Sequence, residues 1–266
     1  MRQSALWGLT ILLLLSCKKT NRTLFLQQNQ VHLAQPRVQS TTMIIDSFAV
    51  IKVGQGFEGS EVYYTSDGSE PTMTSVKYKA PFKVTEPGTY KFRTFHTNWK
   101  TSEASMMTLY KKGQVPEDIV WYSKAQTKYK GQGALTLINQ NKASLPFSNP
   151  EWVGFDSIVD AKVVFKEKTM IKSIDIGFLN DPQSWIFPPS EIVVYLNDLE
   201  NDSDKIKIQM DDVPTMVSAE LSNIKIKIER EVKSVRLEIH NLQSIPEWHE
   251  GSGQKAWLFM DEWIFN

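Results

Sequence analysis

The most informative pattern in the chain is the apolar run from Ala256 to Phe265, which contains only two charged positions. Successive side chains of a β-strand point to opposite faces, and in this run both faces are apolar. The pattern therefore predicts a central strand that is buried on both sides. Each face carries one carboxylate, Asp261 on one and Glu262 on the other, and a buried carboxylate must be paired, hydrogen-bonded or bound to a metal. We expect a β-sandwich closed by this strand, with a polar or metal site built into it.

The rest of the chain also has β-type patterns. From residue 31 to 112, short β-rich runs alternate with turn clusters such as 66–69 and 86–88, which is typical of an immunoglobulin-like sandwich. From residue 118 to 266, segments such as 224–228 alternate apolar and charged positions, which indicates sheets with one solvated face. No amphipathic helix longer than two turns is evident. The predicted fold class is all-β: an Ig-like β-sandwich followed by a jelly-roll β-sandwich.

The N-terminus has the features of an export signal. A charged start is followed by a mostly apolar run at 5–15, which is too short to cross a membrane. The sequence Leu14–Cys17 then resembles a bacterial lipobox, in which the cysteine is lipidated. An ordinary cleaved signal, or a weak anchor with an incidental cysteine, remains the alternative. Cys17 is the only cysteine of the chain, and an exported chain without a partner thiol forms no disulfide.

These patterns divide the chain into five segments. We predict a lipoprotein signal peptide at 1–16, a tether at 17–30, the Ig-like domain at 31–112, a linker at 113–117 and the second domain at 118–266. The expected location is the cell envelope, attached to the outer membrane by lipid, and the leaflet is left open. The charge is balanced at 30 basic and 30 acidic residues, so nothing indicates the basic surface that nucleic-acid binding requires.

A family resemblance appears in the first domain. The segment Val62–Thr72 reads VYYTSDGSEPT and resembles the signature of the small sandwich domain found at the end of chitobiases and β-hexosaminidases. Tyr78–Phe82 and Trp99–Glu103 fit the same pattern. The resemblance implies an Ig-like fold and carries no chemistry of its own.

Three stretches of the second domain resemble the F5/8 type C, or discoidin-like, module that is appended to bacterial family 20 β-hexosaminidases. They are 134–155, 174–195 and 246–262. The resemblance implies a galactose-binding-like sandwich, often a carbohydrate-binding module, and often one structural calcium. Glu262 matches a calcium-ligand position of the family. Asn139 stands where the family usually has aspartate, and an asparagine carbonyl can also bind calcium. Asn139 and Glu262 are therefore the candidate calcium ligands, and hydrogen bonding of Glu262 within the protein is the alternative.

The same resemblance directs attention to aromatic and polar side chains on the loops, because apolar sugar faces pack on aromatic rings and hydroxyls need directional partners. For each candidate, core packing or loop anchoring is the competing interpretation. The candidate carbohydrate-binding residues are Trp185, Trp248, His249, Asn180, Asp181 and Trp152.

We expect no enzymatic activity, since the sequence contains neither a family 20 catalytic barrel nor a nucleophile motif. The leading hypothesis is a noncatalytic glycan-binding lipoprotein of the cell envelope. Its expected partners are a hexosamine- or galactose-containing glycan, the membrane through the N-terminal lipid, and envelope glycosidases. The alternatives are a structural or protein-interaction adaptor without sugar binding, and an accessory subunit of a glycoside hydrolase.

Overall fold

The computed structural model describes residues 32–54, 56–197, 205–210, 213, 215 and 218–266. The predicted signal peptide, the lipidation site at Cys17 and the tether lie outside the described residues. Within the described ranges the secondary structure is almost entirely β, with three short 3-10 helices at Thr127–Tyr129, Ala134–Leu137 and Pro182–Ser184. No helix in these ranges is both long enough and apolar enough to cross a membrane.

The first β-rich region forms two sheets that pack face to face. β1, β3 and β6 form one sheet, and the other has the order β2-β8-β7-β4-β5. Ile51 from the first sheet and Phe92 from the second are fully buried in one shared core, so this region is a β-sandwich. Its strands are β1 (Val38–Ser40), β2 (Ile44–Ile45), β3 (Ala49–Val53), β4 (Glu61–Thr65), β5 (Val76–Lys77), β6 (Phe82–Val84), β7 (Gly88–Phe95) and β8 (Ser105–Lys111).

The turn within the Val62–Thr72 signature shows why those residue types occur there. Asp67 Oδ1 accepts hydrogen bonds from the backbone N–H and the hydroxyl of Ser69, at 3.0 and 2.6 Å. Gly68 has a φ of +78°, a left-handed conformation that glycine adopts without steric cost. The signature therefore encodes a tight turn at the end of β4.

The second β-rich region contains one large sheet. Its strands are β9 (Asp118–Trp121), β10 (Val153–Phe155), β11 (Val159–Asn180), β12 (Glu191–Leu196), β13 (Ile206–Gln209), β14 (Glu220–His240) and β15 (Leu258–Phe265). The order is β10-β15-β11-β14-β12-β13, and β9 pairs with β11 beside this path. The all-β prediction is confirmed.

Two long strands convert this one sheet into a sandwich. The pairing of β11 with β14 shifts register between Val164 and Thr169 and again between Ile171 and Ser173. Before these irregularities β11 pairs with β9, and after them it pairs with β15. Side chains from both halves of β11 belong to one buried core. The sheet therefore bends over itself at the irregularities and encloses that core between two layers.

The last strand confirms the pattern that opened the sequence analysis. β15 lies between β10 and β11, and all eight of its residues are buried. The strand is buried because it is central in the sheet and has apolar residues on both faces. Both carboxylates of the strand, Asp261 and Glu262, are therefore removed from water, at 2% and 0% exposure.

The two β-rich regions contact one another directly. The backbone N–H of Gln114 donates to the carbonyl of Phe265 at 2.6 Å, so the predicted linker pairs with the last strand. A Cβ added to Gly113 would lie 2.4 Å from the same carbonyl, so only glycine permits this approach. A cavity of about 500 Å³ lies between the two regions, lined by Met107 and Tyr110 on one side and by residues of β14 on the other.

Candidate functional site

Two loops of the second domain form a single lobe beside the start of β15, and we call residues 181–190 and 245–256 the loop lobe. Within the first loop, the backbone groups of Asp181 and Ile186 exchange hydrogen bonds at 2.9 and 3.1 Å. Phe187 and Trp185 pair through their backbones with Trp257, at 3.0 and 2.9 Å. The first loop is therefore fixed to the segment that leads into β15.

His249 connects the two loops of the lobe. Its Nδ1 accepts a hydrogen bond from the backbone N–H of Gly251 at 3.0 Å, so Nδ1 carries no proton in this arrangement. Its Nε2 lies 2.8 Å from the carbonyl of Pro182 in the other loop and is the donor of that bond. Both ring nitrogens of His249 are thus engaged within the protein, and the residue anchors the lobe rather than offering a free ring nitrogen.

Trp185 is partly buried against the second loop. It has a φ of +62°, a left-handed backbone that is uncommon outside glycine. A Cβ added to Gly251 would lie 3.0 to 3.1 Å from the Trp185 indole, so the ring packs directly on the glycine backbone. The Trp185 Nε1–H points to Glu250 Oε1 at 3.5 Å. The left-handed turn and the glycine together fix the ring against the lobe.

Trp248 is the exposed aromatic residue of the lobe, at 47% exposure. Its ring centroid lies 5.5 Å from that of His249 and 6.2 Å from that of the buried Phe187. Trp185 contacts His249 at 6.0 Å. The lobe therefore presents one large ring to solvent and supports it with rings that are held in place.

Two of the predicted sugar-contact residues are not accessible. Trp152 is 2% exposed and belongs to a small core with Phe259, and its Nε1–H donates to the carbonyl of Ser144 at 3.0 Å. Asn180, the last residue of β11, is 1% exposed. Asp181 is half-buried at the start of the first loop. Burial of Trp152 and Asn180 favours the competing interpretation for these two candidates, which is packing within the protein rather than sugar contact.

The structure pairs Glu262 with Gln140 rather than with Asn139. Glu262 accepts from the backbone N–H and from the side-chain amide of Gln140, at 2.8 and 3.1 Å. The Asn139 side chain instead donates to Glu151 at 2.6 Å and accepts from the backbone N–H of Asn141 at 2.9 Å. The candidate calcium ligands are adjacent in the fold, but Asn139 makes its hydrogen bonds elsewhere.

The groups around Glu262 include some of the ligands that a hard cation prefers. The amide oxygen of Gln140 is buried and has no hydrogen-bond partner, and it belongs to the same side chain that contacts the carboxylate. Amide and carboxylate oxygens are ligands that calcium accepts, but the Gln140 amide directs its N–H group toward Glu262, so its oxygen faces away from the carboxylate. The described residues contain no cluster of three or more His, Cys, Asp or Glu suited to a metal. Calcium binding by Asn139 and Glu262 stays a prediction.

Burial changes the acidity of Glu262. Removal from water raises its pKa from 4.5 to about 8, opposed by the N–H of Gln140 and assisted by the negative charge of Asp261. Burial disfavours the charged form of a carboxyl group. In the absence of a cation, Glu262 is therefore largely protonated at neutral pH.

Asp261, the other carboxylate of β15, has a partner that the sequence did not reveal. Lys142 Nζ donates to Asp261 Oδ1 at 2.5 Å, and the two side chains are 9% and 2% exposed. The backbone N–H of Ala143 donates to the other carboxylate oxygen at 3.0 Å. Burial raises the pKa of Asp261, and the Lys142 ammonium opposes this rise.

Gly177 makes room for this ion pair. A Cβ added to Gly177 would lie 1.9 Å from Asp261 Oδ1 and 2.0 Å from Lys142 Nζ, so no larger residue fits. Tyr110 of the first domain covers the pair, with Lys142 Nζ 5.1 Å from its ring centroid. The Tyr110 hydroxyl donates to Asn223 Oδ1 at 3.2 Å, and burial raises the pKa of Tyr110. The ion pair thus connects β15 to Lys142 and lies against Tyr110 of the first domain.

Comparison with a protein family identifies part of the first domain. Residues 49–107 match the family model of the chitobiase/beta-hexosaminidase C-terminal domain. The matched segment runs from β3 into β8 and includes the Val62–Thr72 signature. It confirms the resemblance of that domain, and the family matched is a C-terminal domain rather than a catalytic one. A search of curated proteins finds no match.

Several solved structures resemble the chain at low identity. CpGH89CBM32-4, produced by Clostridium perfringens and in complex with GlcNAc-α-1,4-galactose, is 10% identical over 57% of this chain and 90% of its own, with a TM-score of 0.35. A SusE-like protein is 15% identical over 86% and 95%, with a TM-score of 0.35. A fucolectin from striped bass (Morone saxatilis) serum is 9% identical over 86% of each chain, with a TM-score of 0.34.

Proposed function

We propose that the protein is a noncatalytic glycan-binding protein and that the loop lobe is its binding surface. The observation that supports this most directly is the exposed ring of Trp248, which rests on rings that are hydrogen-bonded or buried. Apolar faces of pyranose rings pack on open aromatic faces, and binding is favoured when the contact ring is held in place before the ligand arrives. The ligand class that we propose is a hexosamine- or galactose-containing glycan.

The polar side chains of the lobe supply hydrogen-bonding groups for sugar hydroxyls. Glu247, Glu250 and Gln254 are exposed in the same loop as Trp248, and Glu250 lies next to the Trp185 indole. Carboxylates and amides bind hydroxyl groups directionally. His249 and Trp185 position the loop, and Trp248 supplies the contact.

The test is a glycan array probed with residues 28–266, with and without calcium. Trp248→Ala is expected to weaken binding about tenfold or more, as is common when a central aromatic contact is lost, with little change in stability. Tyr122→Ala is the matched control, because Tyr122 is a 56% exposed aromatic residue of the same domain that lies outside the lobe. If the folded protein binds no glycan, the adaptor hypothesis is favoured. If the wild type binds a glycan and both variants bind it equally well, the loop lobe is not the binding surface.

We further propose that the chain is attached to the bacterial cell envelope through lipid on Cys17 and presents bound glycan to envelope glycosidases. The apolar run before Cys17 and its similarity to a lipobox support this attachment. Metabolic labelling with a radioactive fatty acid is expected to mark the wild type and to leave Cys17→Ala unlabelled. Equal labelling of the two proteins would exclude Cys17 as the attachment point.

A further inference from the structure

A cluster of aromatic rings at one end of the first domain contains one exposed ring and two partly buried rings. Phe57, in the turn between β3 and β4, is 60% exposed, and its ring centroid lies 4.3 Å from that of Trp99. Trp99 in turn stacks on His96 at 4.6 Å. We call these three residues the end cluster. Contiguous apolar side chains that reach the surface together mark interaction surfaces.

The end cluster is held in place by the backbone around it. The hydroxyl and the backbone N–H of Ser60 both donate to the carbonyl of Phe57, at 2.5 and 3.0 Å. Gly59 has a φ of +76°, and a Cβ added there would lie 3.2 Å from His96 Nε2. Phe57 is therefore exposed next to a hydrogen-bonded turn, and its ring packs against Trp99.

The N-terminal segment of the chain enters the domain beside the end cluster. His32 forms a β-bridge with Lys100, and the backbone N–H of Leu33 donates to the Lys100 carbonyl at 3.1 Å. Lys100 follows Trp99 directly in the sequence. A cavity of about 220 Å³ is lined by both Leu33 and Phe57. The segment of the chain before residue 32 is thus joined to the domain at this end.

We propose that the end cluster contacts the lipid bilayer to which the chain is attached. This inference rests on the proposed attachment at Cys17. Fourteen residues lie between Cys17 and His32, so the two residues are at most about 50 Å apart. The chain therefore enters the domain from the attachment point at the end that carries the end cluster. Tryptophan and phenylalanine insert at the headgroup level of membranes.

The charges near the end cluster also fit a bilayer. Arg37 lines the same small cavity as Phe57, and both Arg37 and Lys100 are exposed. Basic side chains close to a membrane surface are attracted by anionic headgroups. Glu58, next to Phe57, is also exposed and carries the opposite charge, so the two basic side chains outnumber it by one.

The geometry of the rings disfavours a sugar as the occupant. The ring planes of Phe57 and Trp99 are inclined at 54°, so they form no common flat platform. Trp99 is in contact with Phe57 and with His96 at once, which leaves less of its surface for a pyranose. Phe57 has no polar group to meet a hydroxyl. Inclined apolar rings of this kind are suited to insertion between lipids.

The test uses the lipidated full chain in vesicles of phosphatidylethanolamine and phosphatidylglycerol. Cys17 is the only cysteine, so Phe57→Cys provides the single free thiol for an environment-sensitive fluorophore once Cys17 carries lipid. We expect blue-shifted emission that is quenched by brominated acyl chains. Met73→Cys is the matched control: Met73 is 65% exposed, lies beyond the opposite end of β4, and should report water.

Emission that is the same at both positions would overturn the proposal, and so would a blue shift at position 57 that requires added glycan. Mass spectrometry of the same sample reports the state of Cys17 separately. If Cys17 carries no lipid, both labels are placed in Cys17→Ser and mixed with the same vesicles. Insertion at position 57 alone then supports the proposed membrane-contacting surface, and the absence of insertion at position 57 refutes it. A negative glycan array leaves these readings unchanged.

Discussion

Replacing Glu262 with glutamine is expected to remove much of the pH dependence of stability between about pH 5 and pH 8. Burial raises the pKa of Glu262 from 4.5 to about 8 in the folded protein. In this window the folded state holds a proton that the unfolded chain has released. The free energy of unfolding therefore falls as the pH rises, because the folded state binds more protons.

The size of this effect follows from the two pKa values. They differ by about 3.5, and one unit corresponds to about 1.4 kcal/mol, so Glu262 accounts for at most about 5 kcal/mol of lost stability by pH 8. Glutamine has nearly the shape of the protonated carboxyl group and does not titrate. The variant should keep its stability at high pH, apart from a remaining slope contributed by the raised pKa of Asp261.

The assay is urea unfolding followed by tryptophan fluorescence, with a chelator present, at several pH values from about 5 to 8. The wild type should lose stability as the pH rises, and Glu262→Gln should lose clearly less. Parallel pH profiles for the two proteins would refute the reasoning, because burial of Glu262 would then have no cost. A wild type that gains stability with rising pH, while the variant does not, would show that the folded state stabilises the ionised carboxylate.

Further predictions concern the same region. Calcium added at about pH 8 is expected to raise the unfolding free energy of the wild type and not that of Glu262→Gln, since a ligand stabilises the state that binds it; an equal response would exclude this site. Gly177→Ala should destabilise by several kcal/mol, because a Cβ there overlaps Asp261 and Lys142, and calorimetry that finds no loss would contradict the geometry. Lys142→Met should cost about 3–5 kcal/mol by leaving Asp261 without its cation, and adding Asp261→Asn should recover part of the loss in the same urea assay.

The local pattern of residues was sufficient to predict the fold class and the burial of β15. A short run that is apolar on both faces and preceded by turn residues is typical of a central strand, and that inference needs no knowledge of the neighbouring strands. The turn at Asp67 and Gly68 is equally local, since its hydrogen bonds join residues two positions apart. Patterns of this kind involve residues that are close together in the sequence, so they can be recognised from the sequence alone.

The partners of the buried carboxylates depend on contacts between distant segments. Lys142 lies 119 positions from Asp261, and Gly177 on β11 must face the same point. Similarly, the choice of Gln140 over Asn139 depends on a left-handed turn at Gln140, where φ is +63°. Asn139 and Gln140 are chemically similar, and they differ in where their side chains point. A pattern of residue types does not determine the side-chain direction in an irregular loop.

The exposure of the aromatic rings was likewise not predictable from the pattern of residues. Trp152 and Trp248 each follow a Pro-Glu pair, yet one is 2% and the other 47% exposed. Strand pairing and loop packing determine which ring is covered, and both depend on how the whole sheet bends. The residues therefore dictated that the chain forms β-sandwiches with a buried last strand. The arrangement of those strands in space determined which carboxylate is neutralised, by which partner, and which ring remains available to a ligand.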